Sequence, residues 1–224
     1  MNDLHFTAPR HEMVQEIAML VRMTSDHIGR ETLAERVMAA MEKVPRHEFV
    51  PIELRGFAYV DSPLPIGYGK TISQPYMIAL MADLLEAGPD DVVLEVGTGF
   101  GYHTAILVEL VAKVYTVEII EELVEEARRR LAAQGYTNVE MRTGDGSLGW
   151  PEHAPFDRIL VAAAPDLVPP ALIQQLKPGG RMVIPAGIED AQKLMVVDKA
   201  ADGRIDIREV LPVRFSPLIT DGEL

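Results

Sequence analysis

The chain has 224 residues, of which 48% are hydrophobic and 25% charged, values that are ordinary for one globular domain with a buried core. Its formal net charge of −13 argues against a broad nucleic-acid surface, which would need clustered Lys and Arg. The absence of cysteine excludes disulfides, a thiolate nucleophile and a cysteine-ligated metal.

Targeting signals and metal motifs are also missing from the sequence. No basic stretch followed by an apolar one opens the chain, and no apolar run is long enough to span a bilayer. We therefore expect a cytoplasmic protein with no membrane or nucleic-acid partner. The histidines and acidic residues lack metal-ligand spacing, so no metal site is expected. The arginines at 128–130 follow glutamates on one predicted helix, which favours ion pairs on a solvated face.

The first part of the chain is predicted to be helical. Apolar spacing predicts a helix over Arg10–Met23, and Thr32–Glu35 has a capping-box pattern that opens a second helix ending near Pro45. The segment Phe49–Pro75 is rich in proline, glycine and aromatic residues without periodicity, and loops of this length are usually functional. A third helix is predicted over Gln74–Ala87.

Strands and helices then alternate. Strands are predicted at 92–96, 114–118, 139–143 and 157–162, with helices at 102–112, 121–134 and 170–176. This repeated β-α-β pattern predicts a parallel sheet with right-handed crossovers and a ligand at the carboxyl ends of its strands.

The end of the chain is predicted to be antiparallel. A turn at Lys177–Gly180 precedes strands at 181–185 and 193–198, and Asp202-Gly203 is a strong hairpin signal leading to a strand at 205–210. The expected fold class is α/β: a doubly wound, mostly parallel sheet with N-terminal helices and an antiparallel C-terminal hairpin. We expect a single domain over 1–224, with helices and the long loop in 1–75 and the α/β core in 76–224.

The most informative segment follows the first strand of the core. Gly97, Gly99 and Gly101 alternate there, which permits unusual φ values and brings backbone N–H groups close to a ligand at a helix start. A dinucleotide fingerprint has a different spacing, Gly-x-Gly-x-x-Gly. Because the carboxylate of Glu95 stands just before the glycines, a positively charged ligand such as S-adenosylmethionine fits better than a pyrophosphate.

Two further carboxylates follow predicted strands. Glu118 ends the second strand, where a carboxylate can hold ribose hydroxyls in NAD and S-adenosylmethionine proteins alike. Asp145 lies between two glycines after the third strand, so it is either a turn residue or a partner for the adenine amino group, the second being favoured. His103 is interpreted as a partly exposed helix residue rather than a general base.

An ordered set of segments, spanning residues 44–218, resembles the protein-L-isoaspartate O-methyltransferases. The set includes Tyr59–Pro75 with its Thr-Ile-Ser-x-Pro motif, Gly144–Trp150, Leu176–Arg181 and Val213–Leu218. This family has a Rossmann-like methyltransferase sheet. The resemblance implies S-adenosylmethionine contacts at Glu95, Gly97, Gly99, Gly101, Glu118 and Asp145, an active-site hydroxyl at Ser73, and a substrate loop containing Pro65, Ile66, Thr71, Ile72 and Pro75.

The activity implied by this resemblance is protein repair. A methyl group would pass from S-adenosylmethionine to the free α-carboxylate of an L-isoaspartyl residue in a damaged protein or peptide, and the ester would then close to a succinimide. Two alternatives stay open: another class I methyltransferase acting on a small molecule or RNA, and a non-catalytic nucleoside-binding module.

Two residues of the loop keep two interpretations each. Ser73 precedes Pro75 and an apolar helical pattern, so it also fits a helix N-cap. Lys70 stands where the family commonly has Gln, and it either attracts an acidic peptide or is simply solvated.

Overall fold

A computed structural model of the chain describes residues 3–188 and 190–223. The N-terminal part is helical, as predicted, with helices α1 (Thr7–Met23), α2 (Ser25–Ile28) and α3 (Glu35–Lys43). Helix α4 (Pro75–Leu84) begins at the boundary expected between the two parts of the chain. The single-domain expectation itself stays a prediction.

The predicted capping box is wrong. Helix α3 begins at Glu35, its N-cap residue is Ala34, and no side chain caps it from within the motif. The backbone N–H of Ala34 instead donates to Oδ1 of Asp83 at 2.7 Å, on α4. Asp83 is buried and also pairs with Arg30. A tertiary contact between two helices therefore replaces the local cap that the sequence suggested.

The long loop contains short regular elements. A 3₁₀ helix covers Ile52–Phe57, and a small antiparallel hairpin follows, formed by β1 (Leu64–Gly67) and β2 (Lys70–Ile72). The hairpin turns at Tyr68, whose φ of 54° is in the left-handed region. This hairpin was not predicted, because three- and four-residue strands are too short to show alternation.

The remaining chain forms one seven-stranded sheet with three further helices. In chain order the elements are β3 (Val92–Val96), α5 (Tyr102–Leu110), β4 (Lys113–Glu118), α6 (Glu121–Ala133), β5 (Val139–Thr143), β6 (Phe156–Val161), α7 (Pro170–Gln175), β7 (Leu176–Ala186), β8 (Lys193–Lys199) and β9 (Ile205–Pro212). The spatial order is β5-β4-β3-β6-β7-β8-β9. Pairing is parallel from β5 to β7 and antiparallel from β7 to β9, which confirms the expected fold class.

Both faces of the sheet are covered, so the central strands read as continuous apolar runs. Val93 belongs to a large core shared with the N-terminal helices and with α5 and α6, whereas Leu94 and Val96 belong to a second core that includes Leu172 of α7. Residues that alternate along a strand point to opposite faces. Glu95 therefore points into the larger, helix-covered face.

The predicted turn at Lys177–Gly180 is wrong, because these residues lie within β7. The pairing with β6 shifts there from Phe156 opposite Leu176 to Arg158 opposite Arg181, so a bulge absorbs the extra residues. A Cβ at Gly180 would lie 2.8 Å from the carbonyl oxygen of Lys177, which explains the glycine. The Asp202-Gly203 hairpin between β8 and β9 is confirmed.

Two of the three consecutive arginines of α6 behave as predicted. Arg128 and Arg129 form exposed ion pairs with Glu125 and Glu126, one turn earlier on the helix. Arg130 also pairs with Glu126, at 3.1 Å, but it does not lie on a solvated face: only 11% of its side chain is exposed, and it donates to the backbone carbonyl oxygens of Glu48 and Val50. None of the helices within residues 3–188 and 190–223 has the length and apolar character needed to cross a membrane.

Candidate active site

A cavity lies where the carboxyl ends of β3, β4 and β6 meet, as expected for an open parallel sheet. It measures about 570 Å³, including its mouth. Its walls are formed by the glycine loop, the end of β4, the start of α6, the turn at Gly146, the segment after β6, the β1–β2 hairpin and the C-terminal segment. The lining residues are Ile66, Lys70, Thr71, Val96, Gly97, Gly99, Val117, Glu118, Ile119, Leu123, Gly146, Ala162, Ala163 and Ser216–Ile219.

The glycine loop contributes space rather than free hydrogen-bond donors. Gly97 and Gly99 both line the cavity and have φ values of 94° and 54°, which side chains rarely adopt. Their N–H groups donate to the carbonyl oxygen of Val117 and to Glu118. The sequence-based expectation that these N–H groups face the ligand is therefore wrong, because the neighbouring strand β4 already accepts from them.

Gly101 has a packing role in the structure. It precedes the first residue of α5 with a φ of 89°, and it does not line the cavity. A Cβ at this position would lie 3.0 Å from Cδ1 of Leu131 on α6. The glycine therefore allows α5 and α6 to approach each other beside the site.

Glu118 forms the polar wall at the end of β4. Its Oε2 accepts from the Gly99 N–H at 3.0 Å, and its Oε1 accepts from the N–H groups of Ile119 and Ile120 at 3.0 and 3.2 Å. Oε1 thus accepts two hydrogen bonds, whereas Oε2 accepts one and has a second lone pair available. Glu118 therefore fixes the glycine loop and keeps one acceptor oxygen at the cavity wall for a donor group of a ligand.

Glu95 lies next to the cavity without lining it. Its carboxylate is 0% exposed, and Oε2 accepts from the hydroxyls of Thr104 and Thr116 at 2.5 and 2.7 Å. Burial raises the pKa of Glu95 to about 7, although the two threonine hydrogen bonds oppose this shift. The side chain points toward α5, whereas the following residues, Val96 and Gly97, form the wall itself.

Asp145 acts as a turn residue in the structure. Its Oδ1 accepts from the Ser147 N–H at 2.8 Å, and its Oδ2 accepts from the Asp221 N–H at 3.3 Å. Of its turn, only Gly146 lines the cavity. The carboxylate holds the start of a 3₁₀ helix and the C-terminal segment, and its expected contact with adenine stays a prediction.

The β1–β2 hairpin brings part of the predicted substrate loop to the cavity. Ile66, Lys70 and Thr71 line it, and a Cβ on Gly99 would lie 3.2 Å from Cδ1 of Ile66. The hairpin therefore rests directly on the glycine loop. The predicted loop residues Pro65, Ile72 and Pro75 flank this wall without forming it, and Ile72 and Pro75 are buried.

Ser73 is half-buried, directly after β2 and two residues beyond Thr71. Its carbonyl oxygen accepts from Nη2 of Arg46 at 2.8 Å. Arg46 is fully buried and also donates to the carbonyl oxygen of Ala58 at 2.8 Å, which fixes the backbone on both sides of the hairpin. Burial lowers the pKa of Arg46 to about 10, so the guanidinium stays charged at neutral pH.

The N-cap interpretation of Ser73 is wrong. The N-cap residue of α4 is Gln74, and the N–H of Tyr76 donates to Oδ1 of Asp61 at 2.8 Å. Asp61 also accepts from Nε2 of Gln74. Because Asp61 serves the helix start, the Ser73 hydroxyl has no capping role, and none of residues 3–188 and 190–223 accepts a hydrogen bond from it.

Sequence reasoning missed the C-terminal wall of the site. Residues 216–219 line the cavity and are attached to the end of β6 by two backbone hydrogen bonds, from Ala164 N–H to Ser216 O and from Leu218 N–H to Ala164 O, each 2.9 Å. Nothing in the local pattern shows this contact, because the two segments are about fifty residues apart and neither has chemically distinctive side chains.

The interpretation of His103 as partly exposed is wrong. The residue is 7% exposed because α5 lies between the sheet and the N-terminal helices. Burial lowers the pKa of His103 to about 3, so the ring is neutral at pH 7 and outside the cavity wall. In the described ranges, no group of His, Asp or Glu residues has the arrangement of a metal site.

The cavity fits a nucleoside cofactor. A Cβ on Gly97 would lie 3.5 Å from the cavity residue Ala162, so the glycine leaves space there that a side chain would occupy. The Glu118 carboxylate lies at the end of the second strand of the β-α-β unit, where such folds hold ribose hydroxyls. Fold and site together define a Rossmann-like α/β protein of the methyltransferase type.

Comparison with known proteins assigns the family. The family model described as protein-L-isoaspartate(D-aspartate) O-methyltransferase (PCMT) matches residues 20–223. Protein-L-isoaspartate O-methyltransferase 1 of Polaromonas sp. is 56% identical over 100% of this chain and 94% of its own length. Protein-L-isoaspartate O-methyltransferase 2 of Syntrophobacter fumaroxidans is 56% identical over 95% of this chain and 87% of its own length.

Solved structures are also similar to this chain. A protein-L-isoaspartate O-methyltransferase structure matches with a TM-score of 0.77 and 27% identity, over 91% of this chain and 65% of that one. A Plasmodium falciparum structure, solved with S-adenosyl-L-homocysteine, matches in fold with a TM-score of 0.73 and 22% identity, over 91% of this chain and 98% of that one. The chain belongs to the protein-L-isoaspartate(D-aspartate) O-methyltransferase family.

Proposed function

We propose that the protein transfers a methyl group from S-adenosylmethionine to the free α-carboxylate of L-isoaspartyl residues in damaged proteins and peptides. Family membership over residues 20–223, together with a cavity enclosed by the glycine loop and the β1–β2 hairpin, carries this proposal. The methyl ester then closes to a succinimide, whose hydrolysis converts a fraction of the damaged residues to normal aspartate. The expected cytoplasmic location stays a prediction.

The cofactor is assigned to the sheet side of the cavity. Glu118 would accept from the ribose hydroxyls, while Gly97 and Gly99 leave the space that side chains would fill. When bound, S-adenosylmethionine supplies an electrophilic methyl group on a positively charged sulfur. The protein has only to hold this group in line with the acceptor oxygen.

The acceptor is assigned to the hairpin side. An α-carboxylate has an ordinary pKa near 4, so it is ionised at neutral pH and needs no general base. This agrees with a cavity whose described lining contains no histidine. Lys70 contributes a positive charge that offsets Glu118, and Thr71 contributes a hydroxyl. We assign the Ser73 hydroxyl, which stands beside the cavity lining two residues beyond Thr71, as a further donor to the carboxylate, a role that its lack of any capping function supports.

Water exclusion completes the proposed mechanism. Ile66 of the hairpin lies against Gly99 of the glycine loop, and Leu218 of the C-terminal segment lines another part of the wall. These apolar side chains would cover the reacting atoms and strip water from the carboxylate, which makes the oxygen a better nucleophile. The substrate segment of the damaged protein would enter between the two covers.

The proposal is tested with two synthetic peptides that differ only in having Asp or isoAsp at one position. Incubation with methyl-labelled S-adenosylmethionine is expected to place a base-labile label on the isoAsp peptide alone. A third peptide with the isoaspartyl α-carboxylate amidated is the matched control, and it should stay unlabelled. Equal labelling of the Asp and isoAsp peptides, or labelling of neither, would refute the proposed substrate.

A further inference from the structure

Glu95 is a buried carboxylate with only half of its hydrogen-bonding capacity used. Oε2 accepts from two threonine hydroxyls, Thr104 at 2.5 Å and Thr116 at 2.7 Å. Oε1 is buried and has no hydrogen-bond partner in the part of the chain that the structure describes. An ionised carboxylate is costly in such a place, whereas a protonated one leaves no charge at the bare oxygen.

The elements packed around Glu95 offer no cation. Strand β6 pairs with it through the apolar Leu160, and β4 contributes Thr116 and the carboxylate of Glu118. Helix α5 contributes Thr104, whose neighbour His103 is neutral at pH 7. Burial raises the pKa of Glu95 to about 7, and the negative charge of Glu118 adds to the shift. Without a ligand, Glu95 is therefore about half protonated at pH 7.

The cavity lies beside Glu95, so a ligand bound there can bring a positive charge near this carboxylate. Val96 and Gly97, the next two residues of the chain, form its wall, and Glu118 lines it as well. Charges interact strongly across a buried region of low dielectric constant. A cation in the cavity therefore stabilises the ionised form of Glu95 without touching it.

We propose that Glu95 senses the charge of the ligand: it releases a proton when a sulfonium cofactor fills the cavity and releases less when the demethylated product does. This inference rests on the proposed use of S-adenosylmethionine. The product, S-adenosylhomocysteine, lacks the positive sulfur but has the same nucleoside and amino-acid groups. Glu95 would thus favour the methyl donor over the spent product, and it would do so more as pH rises.

The proton balance gives the sign of the effect. The proton leaves the protonated carboxyl of Glu95 for bulk solvent, and the carboxylate remains behind with both threonine hydrogen bonds. Because binding releases a proton, affinity for S-adenosylmethionine increases with pH around the pKa of about 7. Full ionisation in the complex would give a gain of about tenfold between pH 6 and pH 8. S-adenosylhomocysteine should gain less over the same range.

The test is calorimetric titration of the full chain with each ligand, from pH 6 to pH 8, in buffers of different ionisation enthalpy. At pH 7 the wild type should release about half a proton more than E95Q with S-adenosylmethionine, and clearly less than that with S-adenosylhomocysteine. Comparison with E95Q removes the ligands' own titration. D83N, which alters a buried carboxylate outside the cavity wall, should behave like the wild type.

Each outcome of the titration either supports or overturns the inference about Glu95. Equal proton release by wild type and E95Q would overturn the inference while leaving the proposed function intact, whereas failure of S-adenosylmethionine to bind would overturn both. If E95Q does not fold, infrared difference spectra of the wild type serve instead. The carbonyl band of a protonated carboxylic acid should disappear with S-adenosylmethionine and persist with S-adenosylhomocysteine, and its absence from the free protein would contradict the inference.

Discussion

The two sides of the cavity are built differently. The sheet side, with Gly97, Gly99 and Glu118, stands at the ends of adjacent parallel strands and is held by N–H groups that donate to the Val117 carbonyl oxygen and the Glu118 carboxylate of β4. The hairpin side is a pair of very short strands, positioned by single side chains such as the buried Arg46 and the half-buried Asp61. The sheet side suits the cofactor, which is the same for every substrate, and the hairpin side suits the peptides, which vary in sequence.

The largest effect is expected from Gly97→Val, which alters the sheet side of the cavity. A β-branched residue at a φ of 94° is strained, and its side chain would narrow the cavity beside Ala162. Cofactor affinity, measured by calorimetry, should fall by more than about 100-fold. Gly203→Val is the matched control, because Gly203 has a φ of 86° in open space at the β8–β9 turn. If both variants bind cofactor equally well, the assigned cofactor site is wrong.

A smaller and more selective loss is expected from Ser73→Ala on the hairpin side. Removal of one hydrogen bond to a charged acceptor should lower kcat/KM for an isoaspartyl peptide by about 10- to 100-fold. Cofactor affinity should stay at the wild-type value, since Ser73 does not line the cavity. Ser62→Ala, at a hydroxyl earlier in the same loop, is the control. Unchanged turnover by Ser73→Ala would remove this serine from the proposed mechanism.

The smallest effect is expected from Asp61→Asn, which weakens the support of the hairpin. Loss of the charged acceptor at the start of α4 should cost about 1 kcal/mol and lower Tm by about 2–4 °C. The KM for the peptide should rise a few-fold, with cofactor binding unaltered. Asp202→Asn, in the distant β8–β9 turn, should leave the KM unchanged. Loss of cofactor affinity in Asp61→Asn would show that the two sides of the cavity are not independent.

The sequence alone predicted the sheet side of the cavity better than the hairpin side. Continuous apolar runs ending in glycine or glutamate are local signals, so β3, β4 and the positions of Gly97 and Glu118 followed directly from the chain. The burial of Glu95 did not follow, because the face toward which a residue of a fully buried strand points depends on its tertiary neighbours. The sequence predicts that this carboxylate contacts the ligand, whereas the structure shows it buried beside the cavity.

The prediction of the hairpin side depended on the resemblance of the sequence to a known family. Ser73 and Thr71 were identified through a family motif, whereas β2, which contains Thr71 and ends just before Ser73, is too short for any periodic pattern. The capping role that Ser73 would have had locally belongs to Asp61, twelve residues earlier in the chain. The wall formed by residues 216–219 could not be predicted at all, because backbone contacts to β6 create it.

One side-by-side measurement tests most directly whether the sheet side binds the donor and the hairpin side governs methyl acceptance. Wild type, Gly97→Val and Ser73→Ala are each titrated with S-adenosylhomocysteine and assayed for methyl transfer to the isoaspartyl peptide. We predict that Gly97→Val loses both properties, while Ser73→Ala keeps wild-type affinity and loses transfer. Equal loss of affinity in the two variants, or full transfer by Ser73→Ala, would contradict the account.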